Sequence, residues 1–118
     1  MKKIILLLLI SHYSFSQITQ IGSNIDGEAA HDKSGYPVSL SSDGTIVAIG
    51  AYGNDGMGTD AGHVRVYEWD GSAWVQRGRD IDGEAADDHS GISVSLSSDG
   101  TIVAIGAYTN DANDTNSG

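Results

Sequence analysis

An all-β fold assembled from repeated four-stranded antiparallel sheets is predicted by three observations. Residues 38–52, VSLSSDGTIVAIGAY, return letter for letter as residues 94–108, and 27 of the 36 positions in residues 25–60 match those in residues 81–116. Self-similarity at a period near 50 is the mark of a repeat architecture and governs everything read after it. Within each copy the apolar residues either alternate with polar ones or form short β-branched runs, and Asp-Gly pairs stand between those runs, the pattern of strands joined by tight turns.

The elements follow in order. Residues 26–35, DGEAAHDKSG, are polar and small, with no apolar period for a long helix, and read as a loop. Residues 37–41 alternate and give a strand with one buried face. Ser42-Asp43-Gly44 is turn chemistry, since glycine takes positive φ freely and aspartate bonds its own backbone. Residues 45–51, TIVAIGA, are almost continuously apolar, which predicts a strand covered on both faces. Residues 53–62 are a glycine-rich loop. Residues 63–69 alternate, with Val64, Val66 and Glu68 on one face and Arg65, Tyr67 and Trp69 on the other. Asp70-Gly71 is a second tight turn, and residues 73–81 are expected to be the fourth strand.

Four antiparallel strands per copy make one β-propeller blade, a sheet that is apolar on both faces until neighbouring blades cover it. Residues 26–81 are read as a first complete blade and 82–118 as part of a second. Residues 17–25, QITQIGSNI, align with residues 73–81, AWVQRGRDI, matching at Gln20/Gln76, Gly22/Gly78 and Ile25/Ile81. They are therefore expected to be the fourth strand of a last blade, closing the ring. The second copy stops before the counterpart of HVRVYEWD, so the expectation is an incomplete ring completed by further blades of the same chain, with these 118 residues alone marginal or unfolded.

At SGYPVSLSSDGTIVAIGAY the sequence resembles the FG-GAP repeats of integrin-α-like β-propellers, and among these the exported bacterial kind with near-identical blades. Ser34-Gly35 stands where the motif has Phe-Gly, and Gly50-Ala51-Tyr52 where it has Gly-Ala-Pro. The resemblance covers residues 17–118 and implies a propeller with a binding or structural role. Relatives that bind calcium do so through an Asp-x-Asp-x-Asp-Gly loop between the first two strands. Here that connection is Ser41-Ser42-Asp43-Gly44 and its copy Ser97-Ser98-Asp99-Gly100, and one carboxylate cannot supply six to eight oxygens. No cofactor is expected, and calcium enters only as a possible stabiliser.

Lys2-Lys3, the apolar run at residues 4–10 and Ser14-Phe15-Ser16 have the layout of a secretory signal peptide spanning residues 1–16. The apolar run is far short of the ~20 residues of a membrane span. Export to the medium or the cell surface is the expected location. Without Lys2 and Lys3 the chain has four basic residues against sixteen acidic ones, a net charge of −12. Phosphate backbones are repelled by such a surface, which excludes nucleic acid as a partner. Cysteine is lacking altogether, so stability rests on packing, repetition or metal.

Candidate sites are few. Asn54, Asp55 and Asp60, with Asp111 and Asp114 in the copy, are weak metal candidates in glycine-rich loops, set against the plainer reading of solvated turns. The two copies differ at four positions there: Gly56/Ala112, Met57/Asn113, Gly58/Asp114 and Asp60/Asn116. Asp26, Glu28 and Asp32, with Asp82, Glu84 and Asp88, are read as solvated linkers, or as a rim for a basic or sugar partner. His31, His63 and His89 form no nucleophile, base and orienter series, so no catalytic residue is assigned. Trp69 and Trp74 are expected to pack between blades, with sugar stacking as the alternative. Asn113-Asp114-Thr115 fits a glycosylation acceptor pattern, read as incidental. The expected function is a non-catalytic binding, adhesion or structural role toward a protein or glycan. The alternative is the scaffold of an extracellular enzyme, such as a polysaccharide-active hydrolase, with its catalytic residues elsewhere.

Overall fold

The computed structural model describes residues 16–118, so the signal peptide read in residues 1–16 lies, but for Ser16, outside the described residues. All regular structure among them is β-sheet. No helix in this part is long and apolar enough to cross a membrane. The first copy supplies β1 (Val38–Leu40), β2 (Ile46–Ala51), β3 (His63–Trp69), β4 (Trp74–Gln76) and β5 (Ile81–Asp82), and the second supplies β6 (Ser93–Leu96) and β7 (Val103–Gly106). Within the first copy the strands lie in the order β1-β2-β3-β4, all antiparallel, with β5 also on β3. The β6–β7 hairpin repeats β1–β2, with Val94 opposite Ile105 as Val38 is opposite Ile49.

Each first hairpin turns on a single aspartate. Asp43 Oδ1 accepts from the Ser41 hydroxyl at 2.7 Å, the Thr45 hydroxyl at 2.8 Å and the Thr45 amide at 3.0 Å. Asp99 does the same with Ser97 and Thr101. Hydrogen bonds to the charged form favour it. The Ser97 hydroxyl, followed by the Thr101 amide, holds Asp99 down to about 2. Asp43 is lowered first by the Thr45 amide, and Asp70, at the other turn, by the Ala73 amide. Each of these carboxylates is engaged in folding its own turn.

The fourth strand departs from expectation. Residues 73–81 are not one strand: β3 pairs with β4 as far as Tyr67↔Gln76 and resumes with β5 at Val64↔Ile81. Arg65 and Val66 thus face four residues, 77–80, a bulge with two extra residues. An even insertion keeps the inward and outward alternation intact. Gly78 takes φ +82° at its centre, the Arg77 amide donates to Val66 O at 2.7 Å, and Gln76 Nε2 donates to Asp80 Oδ1 at 2.5 Å across it.

Residues 16–25 form no strand here, yet they repeat two local features of residues 76–80. Gly22 has φ +69°, and Gln20 Nε2 donates to Asn24 Oδ1 at 2.9 Å, again four residues on. The segment lies on Trp69 and Trp74: Trp74 Nε1 donates to Ile21 O at 3.2 Å, and a Cβ on Gly22 would sit 2.7 Å from Trp69.

The core is thin and built of small residues. Ala48, Ala51 and Ala61 are buried with Ile46, Ile49, Val64 and Tyr67. β2 is covered along nearly its whole length, as the apolar run predicts. Its copy β7 is only partly covered, because no further strand pairs with its outer edge among the described residues.

The two copies meet through main chain. Ser42 donates both its amide and its hydroxyl to Ser98 O, each at 2.9 Å, and the Leu96 amide donates to Ser39 Oγ. Farther along the seam, Ser90 N donates to Ala61 O at 2.9 Å and Gly83 N to Gly62 O at 2.8 Å. This approach requires glycine: a Cβ on Gly50 would meet Gly91 O at 2.2 Å, and one on Gly62 would meet Ser90 O at 2.1 Å.

Candidate functional site

Antiparallel order sorts the connections into two sets. The Ser-Ser-Asp-Gly turns and Asp70-Gly71 lie at one end of the sheets. At the other end lie the segments before β1 and β6 and the segments after β2 and β7. This second end carries the Asn54–Asp60 and Asp111–Asp114 loops and the acidic segments with Asp26–Asp32 and Asp82–Asp88.

There the loops are tied by a clasp that occurs twice. Asn54 Nδ2 donates to Asp32 Oδ2 at 3.0 Å and approaches Glu28 Oε2 at 3.5 Å, while Asp32 Oδ2 also accepts from the Ala29 amide. Asn110, Asp88, Glu84 and Ala85 repeat it. Asp32 and Asp88 are therefore neither solvated linkers nor a rim. They are 3% and 2% exposed, because each carboxylate serves as the anchor that joins two loops.

The metal candidates are drawn into the same scaffolding. Asn54 Oδ1 accepts from the Gly56 amide at 2.9 Å and Asp55 Oδ1 from the Asp60 amide at 2.8 Å. Asp111 accepts from the Asn116 amide, and Asp114 Oδ1 accepts from the Thr115 amide at 2.8 Å. Asp60 itself stands at φ +49°, closing its loop. Among the described residues, the His/Asp/Glu side chains close enough to share one ion are Glu28, His63 and Asp80, and Asp55, Asp60, Asp111 and Asp114 are not among them.

What the loop end does present is a row of rings. Tyr36 meets Tyr52 edge-on with centroids 6.0 Å apart; Tyr52 lies 6.0 Å from His89, and His89 lies 5.9 Å from Tyr108. Tyr36 and Tyr108 are 65% and 60% exposed. His89 is fixed by its Nδ1, 2.8 Å from Asp87 O and 2.9 Å from Thr109 Oγ1. A carbonyl can only accept, so Nδ1 carries the proton. The row crosses the seam, with two rings from each copy. Comparison of the copies hides half of it, since Ile92 replaces Tyr36 and Lys33 replaces His89. The signal that could find it is Tyr52, kept as Tyr108 at the exit of the buried strand.

The remaining candidates fall elsewhere. Trp69 and Trp74, 5.5 Å apart, cover the N-terminal segment, a packing role at the opposite end from the loops. His31 is exposed on its loop at φ +73°, and His63 is buried at the start of β3.

A family model described as FG-GAP repeat matches residues 25–67 and again residues 80–118. Comparisons with curated proteins and with solved structures find no match.

Proposed function

The chain belongs to the FG-GAP repeat family, whose repeats are β-propeller blades, and from that premise we propose that it is an exported propeller with a non-catalytic binding or adhesion role. Modules of this family are generally structural or binding domains typical of extracellular and surface proteins. The observation that carries the reading is the row Tyr36–Tyr52–His89–Tyr108 on the loop end. Tyrosine offers an apolar ring body with a polar tip, the combination that suits a sugar face or a protein hot spot. Four rings at near 6 Å spacing fit an extended ligand such as a glycan chain better than a single small molecule. The net charge of −12 on residues 17–118 favours neutral or basic ligands and opposes nucleic acid.

The expected result is that Tyr52→Ala and Tyr108→Ala each weaken retention on polysaccharide affinity gels by about tenfold or more, the loss of an aromatic hot-spot contact of about 2 kcal/mol. Thermal melts should stay close to those of the unaltered protein. Retention that is unchanged in both variants, with the gels binding the parent, would remove the row from the interface.

The same reading makes residues 17–25 the closing strand of a last blade. Support comes from the repeated turn geometry, with Gly22 at positive φ like Gly78 and the Gln20–Asn24 hydrogen bond matching Gln76–Asp80. Removing residues 17–25 is expected to uncover Trp69 and Trp74 and shift tryptophan emission to the red. An unshifted spectrum speaks against this segment's place on the first blade.

A further inference from the structure

We propose that Glu28, His63 and Asp80 form a site for a divalent transition-metal cation of the zinc type, a role independent of ligand binding at the aromatic row. The three come from distant parts of the chain. His63 opens β3, Asp80 ends the bulge before β5, and the pairing His63↔Asp82 brings them side by side. Glu28 is delivered by the loop that the Asn54 clasp holds in place.

His63 is only 1% exposed, and its Nδ1 lies 3.9 Å from Glu28 Oε2 and 3.7 Å from Asp80 Oδ2. Those separations are too long for hydrogen bonds, and the ring is engaged in none with another described residue. The spacing is instead close to the edge of a coordination polyhedron. Metal–ligand bonds of about 2.0–2.2 Å put neighbouring tetrahedral ligand atoms about 3.3–3.5 Å apart, so the two His63 separations need contract by only a few tenths of an ångström, and all three ligand atoms lie within 4.8 Å of one another. Glu28 and Asp80 have side chains 48% and 28% exposed, which leaves an entry path and room for water to complete the shell.

Arg65 supports the arrangement from behind. Its Nη2 donates to Asp26 O at 2.7 Å, and Nη1 stands 3.9 Å from Glu28 Oε1. At that distance the guanidinium acts on Glu28 through charge and not through a hydrogen bond, holding Oε1 on its side while Oε2 faces His63. One imidazole nitrogen with two carboxylates suits zinc, cobalt or manganese. Calcium, which takes six to eight oxygens, is disfavoured.

The test is calorimetric titration of the chelator-treated full chain with zinc chloride, paired with cobalt(II) absorption in the visible. One zinc per Glu28–His63–Asp80 cluster is expected, together with a perturbed His63 imidazole resonance. Glu28→Gln and Asp80→Asn, both at partly exposed positions where folding is retained, should each weaken binding by at least about tenfold, the loss that even an outer partner can cause. Absence of zinc binding would overturn the proposal. Binding that is undiminished in Asp80→Asn would overturn it as well, since the ion would then sit elsewhere on the acidic surface.

Discussion

Gly62→Ala is expected to destabilise the fold by about 3 kcal/mol or more, through left-handed backbone strain of about 1–2 kcal/mol added to overpacking of about 1–3 kcal/mol. Gly62 stands at φ +76°, and an added Cβ would lie 2.1 Å from Ser90 O and 2.7 Å from Ser90 N. Those atoms are backbone at the seam between copies and cannot swing aside. Gly71→Ala separates the two terms, because Gly71 has φ +100° and a Cβ there would meet nothing within 4 Å. Urea midpoints of the two variants should therefore differ widely. Equal midpoints would show that the copies do not approach as closely as described.

Asn54→Ala ranks next, at about 2–4 kcal/mol. Asn54 is 6% exposed and Asp32 is 3% exposed, and the amide both donates to Asp32 and accepts from the Gly56 amide. Removing it leaves a buried carboxylate with only the Ala29 amide, and an under-partnered buried charge costs far more than a lost surface bond. Asn110→Ala cuts the same bonds in the second copy, where the asparagine is half-buried. The second substitution should cost less, because water reaches the half-buried Asn110 position and can replace part of what is lost, although Asp88 is as buried as Asp32. Denaturant titrations that find the two substitutions equally damaging would deny that burial sets the strength of the clasp.

Strand content was legible because residues 38–52 carry both the period and the turn: alternation over Val38–Leu40, the aspartate hub at Asp43, and the apolar run of β2. The family match at residues 25–67 and 80–118 supports the repeat reading. The bulge at residues 77–80 was not legible, since an even insertion leaves the alternation of Val75 and Ile81 looking continuous across Gly78. Burial of Asp32 and Asp88 was hidden for a different reason. Their partners Asn54 and Asn110 lie 22 residues away, and composition alone marks DGEAAHDKSG as solvent-facing. The aromatic row escaped because weighing the copies against each other discounts Tyr36 and His89, where they differ. The Glu28–His63–Asp80 grouping depends on the β3–β5 register, which no local pattern encodes.

The seam has an evolutionary corollary. Ser42 with Ser98, Gly50 with Gly91 and Gly62 with Ser90 meet through main-chain atoms or through residues that both copies share. A joint of that kind is indifferent to which copy supplies either side. Unequal exchange between such near-identical gene segments would add or drop a whole unit without spoiling any junction. Selection could then tune the girth of the assembly by counting modules, while each loop end drifts toward its own preference.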